Sequence, residues 1–122
     1  VAVLGIHTLA PTTSERSALR NAQIDFAGEW SREQRGPNVV TGDFNATPWS
    51  YPFRRLLADT DLVNSQKGFG ISATFPADGN SLLRVPIDHL LHPPDLVVVD
   101  RRLGPRLGSD HFPLVVDLAE AG

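Results

Sequence analysis

Two short apolar runs of strand composition, Val1 to His7 and Asn38 to Gly42, flank one long stretch of helical period, and this β-α-β order restricts the fold more than any other feature of the chain. Val1 to His7 is aliphatic and β-branched and stops at the breaker-rich Ala10-Pro11-Thr12. Thr12-Thr13-Ser14-Glu15 then has the T-x-x-E form of a capping box, in which hydroxyl and carboxylate satisfy the first free amides of a helix. Leu19, Ala22, Phe26 and Trp30 follow at helical spacing, so a helix is predicted over residues 13 to 34 with that stripe inward. Gly36-Pro37 ends it.

Beyond Gly42, Ser50 is placed to cap a second helix, Tyr51 to Ala58, with Pro52 in the first turn, where no amide partner is lost. Short strands are predicted at Leu62 to Asn64 and Ser72 to Phe75, with a Gly-bearing loop, Gln66 to Gly70, between them. The turn Ala77-Asp78-Gly79-Asn80 leads to Val85 to Leu91, and His92-Pro93-Pro94, a surface turn, leads to Leu96 to Asp100; these two runs read as neighbouring strands of one sheet. Arg101 to Gly108 reads as a basic connection, Phe112 to Leu118 as the last strand, and Glu120 to Gly122 as a frayed end. The pattern is that of a mixed α/β domain with helices on one face of a sheet. Val1-Ala2-Val3-Leu4 and Leu114-Val115-Val116 carry apolar residues on both sides, as in a sheet buried on two faces, and one helical layer covers only one of them.

The chain has 122 residues, of which 41% are hydrophobic and 20% charged, which suits one domain and excludes disordered and collagen-like classes. With no Cys, thiolate metal sites, Cys nucleophiles and disulfides are excluded together. No apolar run approaches the roughly 18 residues of a membrane span, so no membrane contact is expected from this segment. Residues 1 to 61 carry 6 basic and 7 acidic groups and residues 62 to 122 carry 5 and 7, so neither half presents a basic field for many phosphates. Val1 opens directly in strand sequence with no charged leader, which we read as a piece of a longer chain.

Polar residues that are costly to bury gather at strand ends: His7, Asp43 with Asn45, Asp88 with His89, and Asp110 with His111. Asp43 and Asn45 are two apart and in extended backbone point the same way, toward one cation or one phosphoryl group; the alternative is a turn with Asx-type bonds. Oxygen donors without thiolate favour Mg²⁺ or Mn²⁺ over Zn²⁺. Asp110-His111 offers a carboxylate and an imidazole from one loop, and Asp88 is a candidate to hold that imidazole in one tautomer. Ser109 lacks a G-x-S-x-G elbow and is not expected to be a nucleophile. His89, alternating with Ile87 and Leu91, reads as a structural histidine rather than a ligand. Arg101, Arg102 and Arg106 read as a solvated loop or as partners of a substrate phosphate near Asp110. Trp30 is expected in the core and Trp49 at the site mouth.

Taken together and in order, Gly5-Ile6-His7-Thr8-Leu9, Gly42-Asp43-Phe44-Asn45-Ala46-Thr47-Pro48, Pro86-Ile87-Asp88-His89-Leu90-Leu91 and Gly108-Ser109-Asp110-His111-Phe112-Pro113-Leu114 resemble the C-terminal half of the endonuclease/exonuclease/phosphatase superfamily. Each segment alone is modest, but four in one order, spanning residues 5 to 118, are specific. The resemblance implies half of a four-layer α-β-β-α sandwich: a mixed, mostly antiparallel sheet with two main helices on one face, residues 1–122 forming the C-terminal portion of the domain. It implies a divalent-metal-dependent phosphoesterase, with Mg²⁺ or Mn²⁺ held by Asp110, Asp43 and Asn45.

By the same resemblance, His7 is the phosphate-contacting or general-acid histidine and Asp43 orients or deprotonates the attacking water. Asn45 bonds phosphoryl oxygens, and His111, paired to Asp88, stabilises the transition state or moves a proton. Positioning and charge neutralisation are what phosphoryl transfer requires. The substrate class is a phosphate ester: nucleic acid, lipid head group or small molecule. The family also places an Asn and a metal-binding Glu, with a second sheet, in an N-terminal half that would precede Val1. Weak metal binding, little turnover and self-association as a homodimer through the exposed sheet face are therefore expected of these 122 residues. A non-catalytic binding or scaffold domain that keeps the fold is the alternative.

Overall fold

The computed structural model describes residues 1–79 and 81–122. The elements in chain order are β1 (Ala2–His7), α1 (Ser14–Glu33), β2 (Asn38–Asp43), α2 (Tyr51–Ala58), β3 (Val63–Asn64), a 3₁₀ turn (Ser81–Leu83), β4 (Asp88–His92), β5 (Leu96–Leu103) and β6 (Leu114–Glu120). One sheet has the order β1-β2-β4-β3, and β5 and β6 form a second, two-stranded sheet. Among the described residues only β1 and β2 run parallel, joined by α1; the other pairs are antiparallel. The mixed α/β fold with two main helices therefore stands as expected.

Leu4, Val40 and Leu91 lie opposite one another across β1, β2 and β4 and point to the helical side. There they pack with Ile24 and Ala27 of α1, Phe53 and Leu56 of α2, and Phe44. Phe44 and Phe53 meet edge to face at 5.6 Å between ring centres, a favoured aromatic geometry. On the other side of β1, Val1 and Val3 remain 78% and 63% exposed, so the β1 face away from the helices is apolar and uncovered.

The cap of α1 sits one residue later than the T-x-x-E reading places it. Thr13 Oγ1 accepts from the Arg16 amide at 3.1 Å, which makes Glu15 the second helical residue and leaves the reciprocal box unformed. The inward stripe is also different. Ile24, Ala27, Gly28 and Ser31 are buried, whereas Leu19 and Phe26 are 48% and 58% exposed. Close approach decides this: a Cβ at Gly28 would stand 2.9 Å from Leu56 Cδ1, and Ser31 Oγ donates to Asn38 Oδ1 at 2.7 Å. Small residues let α1 reach α2 and β2, and the large ones turn outward. Trp30 is half-buried against the core, as expected.

Four strand expectations are corrected. The segments 85–91 and 96–100 do not pair; β4 belongs to the larger sheet and β5 pairs with β6, since Pro93 and Pro94 supply no amide to continue a ladder. Residues 72–75 make a single bridge, Phe75 to Val85, each followed by a proline. The basic connection is in part strand: β5 runs through Leu103, with Arg101 buried and bonded to Ser65 Oγ and Ser72 Oγ and Arg102 paired with Asp100 and Asp117. β6 extends through Glu120, opposite Leu96, so fraying does not begin there. His92, expected at the surface, is buried at the end of β4 with Nδ1 donating to Pro93 O at 2.9 Å. Asn80, the last residue of the expected turn, lies outside the described residues. Among the described residues no helix is long and apolar enough to cross a membrane.

Candidate active site

Strand register alone aligns the first three site residues. Ile6 stands opposite Gly42 and His7 opposite Asp43 in the parallel pair, and Asp43 stands opposite Asp88 in the antiparallel pair. His7, Asp43 and Asp88 thus form a row across three strands, at one end of the sheet and on the face away from the helices. Gly42 makes the row possible. Its φ is +134°, and a Cβ there would lie 2.0 Å from Ile6 O, so only glycine allows β2 this close to β1.

Past the strand, alternation separates core from chemistry. Phe44 is wholly buried, while Asp43 and Asn45 turn to the other side. The Asn45 amide donates to Asp43 Oδ1 at 2.8 Å, so the Asx-type turn is present and the two side chains still share one cleft. Asn45 is left-handed, with φ 43°, held by Arg20 Nη1 donating to its carbonyl at 2.8 Å and by its own Nδ2 donating to Thr8 O at 2.9 Å.

His111 arrives from the loop before β6. The Ala77 amide donates to Asp110 O and the Phe112 amide to Thr74 O at 2.8 Å, which straps that loop to residues 74–77, and the His111 ring lies 4.7 Å from that of Phe75. His111 Nδ1 donates to Asp88 Oδ2 at 2.6 Å, leaving Nε2 facing Asp43 Oδ2 at 3.7 Å and Asp110 Oδ1 at 3.8 Å. His7 Nε2 approaches Asp43 Oδ2 from the other side at 3.6 Å. All six expected residues, His7, Asp43, Asn45, Asp88, Asp110 and His111, line one open cleft of about 740 Å³.

Burial raises the Asp43 carboxyl above the usual range, and the neighbouring charge of Asp88 adds to this against the Asn45 amide and the two imidazoles. For His111, burial disfavours the charged ring, but the Asp88 hydrogen bond and the charges of Asp88, Asp43 and Asp110 outweigh it, and the net shift is upward. One atom each of Asp43, Asp88 and His111 lies within 4.8 Å of the others, a spacing that a cation could bridge.

Other expectations separate cleanly. His89 is structural: it is buried against Phe53 and Phe44, its Nε2 donates to Ala46 O at 2.7 Å, and burial lowers its pKa to about 4, so it is neutral at pH 7. Ser109 Oγ accepts from the His111 amide at 3.1 Å and shapes the loop. Trp49 is exposed and outside the cleft, and Arg101, Arg102 and Arg106 do not line it either. Arg16, which does line it, is not singled out in the sequence; its place in the first turn after the His7 strand is the signal that could have found it.

The chain matches the family model described as endonuclease/exonuclease/phosphatase family over residues 2–111. No curated protein matches it significantly. Among solved structures it is similar to an endonuclease/exonuclease/phosphatase from Beutenbergia cavernae (TM-score 0.78, 19% identity, 98% of this chain and 36% of that one). It is also similar to a Neisseria 3′ phosphatase bound to a product DNA hairpin (0.72, 18%, 96% and 60%). A Bacteroides thetaiotaomicron mannosyl-6-phosphatase is a third (0.64, 21%, 96% and 50%). The chain spans about half the length of several such structures. With its four motifs gathered into one cleft and the family model matched over nearly its whole length, the chain belongs to the endonuclease/exonuclease/phosphatase family.

Proposed function

We propose that this chain carries the C-terminal part of a divalent-metal-dependent phosphoesterase site, which hydrolyses a phosphodiester or phosphomonoester by attack of water. The observation that carries the reading is the pairing of His111 with Asp88 at 2.6 Å while its other nitrogen faces Asp43. Asp88 fixes the tautomer, so that Nε2 is presented to the cleft and the ring is held ready to carry positive charge. Asp43, with its carboxyl raised by burial, orients the attacking water and accepts its proton. The exposed His7 contacts the phosphoryl group or protonates the leaving group from the opposite side. Asn45 keeps one amide hydrogen for a phosphoryl oxygen.

The donor set fits a hard cation. The cleft offers the carboxylates of Asp43, Asp88 and Asp110 and the amide of Asn45, with imidazole and no thiolate. Because Asp88 is engaged by His111, Asp110, Asp43 and Asn45 Oδ1 are the groups that would hold Mg²⁺ or Mn²⁺, which when bound neutralises developing negative charge on the phosphoryl oxygens. The neighbours include proteins named for a sugar phosphate and for DNA 3′ ends, which supports a phosphate-ester substrate. Since the chain spans about half of such proteins, we further propose that these 122 residues bind metal weakly, turn over little, and pair through the uncovered β1 face.

Mn²⁺ titration followed by NMR line broadening tests the site: broadening of Asp43, Asn45 and Asp110 signals is expected in the wild type and its loss in Asp110→Ala. A scaffold domain would show neither. Rapid Mg²⁺-dependent hydrolysis of a generic phosphodiester by the 122 residues, abolished by Asp43→Ala, would overturn the weak-turnover claim. A monomer in light scattering at high concentration would overturn the pairing.

A further inference from the structure

Arg16 is the one arginine or lysine lining the cleft among the described residues, and the proposed hydrolysis leaves it without a task. Its backbone is fixed at the cap, where its amide donates to Thr13 Oγ1, and its stem is fixed by Nε donating to Ala10 O at 3.0 Å. That second bond holds an exposed side chain, which would otherwise sweep through solvent, against the wall that carries His7. Its two terminal nitrogens meet no acceptor among the described residues, and no carboxylate lies within ion-pairing distance, although Asp43, Asp88 and Asp110 share the same cleft. The guanidinium thus makes no ion pair with the acidic cluster, on a side chain that lines the same cleft.

We propose that Arg16 is a specificity residue that receives a second anionic group of the substrate, beside the phosphoryl group held at Asp43, His7 and His111. The substrate class is a phosphate ester bearing two neighbouring anionic groups, as successive phosphates in a nucleotide chain do. A guanidinium fork matches a phosphate with two parallel hydrogen bonds, which a lysine cannot reproduce. The cleft, at about 740 Å³, has room for a ligand of nucleotide size. This assignment rests on the phosphoesterase reading above and adds to it the choice among esters.

The test compares thymidine 5′-monophosphate with thymidine 3′,5′-bisphosphate, each titrated with Mg²⁺ present and followed by amide shifts. The wild type is expected to bind the bisphosphate about tenfold more tightly. Arg16→Gln should bring the ratio to within about twofold, and Arg16→Lys should restore part of it. Because Arg16 is exposed, both variants are expected to keep the wild-type spectrum outside the cleft. A wild type that binds the monophosphate at His7, Asn45 and His111 with no preference for the bisphosphate, or a preference that survives Arg16→Gln, refutes the assignment alone. No shift of those residues with either probe refutes the phosphoesterase reading and the assignment together.

Discussion

Gly42→Ala is the substitution that tests how the site is built. The new Cβ would lie 2.0 Å from Ile6 O at a backbone φ of +134°. An L residue held there costs about 1–3 kcal/mol in backbone strain. Relieving the clash means moving β2 from β1 beside the His7–Asp43 pair, with loss of one or two ladder hydrogen bonds at about 0.5–1.5 kcal/mol each. The sum is about 4 kcal/mol, a large share of the roughly 5–15 kcal/mol that stabilises a domain. With a urea slope of about 1.5 kcal/mol/M, the unfolding midpoint should fall by about 2.5 M or the variant should fail to fold. Gly5→Ala is the matched control in the same strand pair, since its Cβ would meet nothing within 4 Å, and it should stay within about 0.5 kcal/mol of the wild type. Equal midpoints for the two variants in circular dichroism would refute the argument that close backbone approach at Gly42 sets the row of His7, Asp43 and Asp88.

Asp88→Asn should lower the pKa of His111, because burial then acts without the carboxylate that outweighs it. In metal-free buffer the raised value contributes stability that is fully present below the ordinary imidazole pKa and lost as pH rises through the His111 value; Asp88→Asn should flatten that loss. An imidazole Cε1 proton titrating no lower in the variant than in the wild type would contradict this. Thr13→Ala should cost about 1 kcal/mol through loss of the α1 cap and Thr12→Ala only a few tenths, measured by urea unfolding; the reverse order would move the cap to Thr12.

The candidate site was legible in the sequence because few residue types suit such chemistry. His7, Asp43, Asn45, Asp88, Asp110 and His111 were identified from motif and order, and all six line the cleft. The limits of α2 and nearly those of α1 were also legible, although Ser50 precedes α2 without a side-chain cap bond, its Oγ donating to Thr47 O at 2.7 Å instead. The packed face of α1 was not. Hydrophobicity points to Leu19 and Phe26, whereas closeness to α2 and β2 selects Gly28 and Ser31, and which of these governs depends on partners far along the chain. Arg101 is a similar case: a basic residue reads as loop until two distant serine hydroxyls are seen to receive it in the interior. Arg16 escaped because its side chain alone reads as one more exposed helix cation, and only its place in the first turn after the His7 strand sets it beside the cleft.

The site is held in two ways with different consequences. His7, Asp43 and Asp88 are set by strand register, and the Thr8 amide donating to Asp43 O and the Phe44 amide donating to Ile87 O continue that register just beyond the strands. Displacing the backbone of any one of them means opening strand pairs of the sheet. His111 instead rides on a loop outside both sheets, tied by the backbone bonds at Ala77 and Phe112 and by Arg84, whose guanidinium bonds to Pro76 O and Ala77 O and lies 4.9 Å over the Phe112 ring. Few contacts hold that loop compared with the sheet, so local opening there is easier than opening the row. The His111–Asp88 hydrogen bond joins the two parts, so Asp88 both meets the imidazole and fastens the loop-borne half of the site to the strand-borne half.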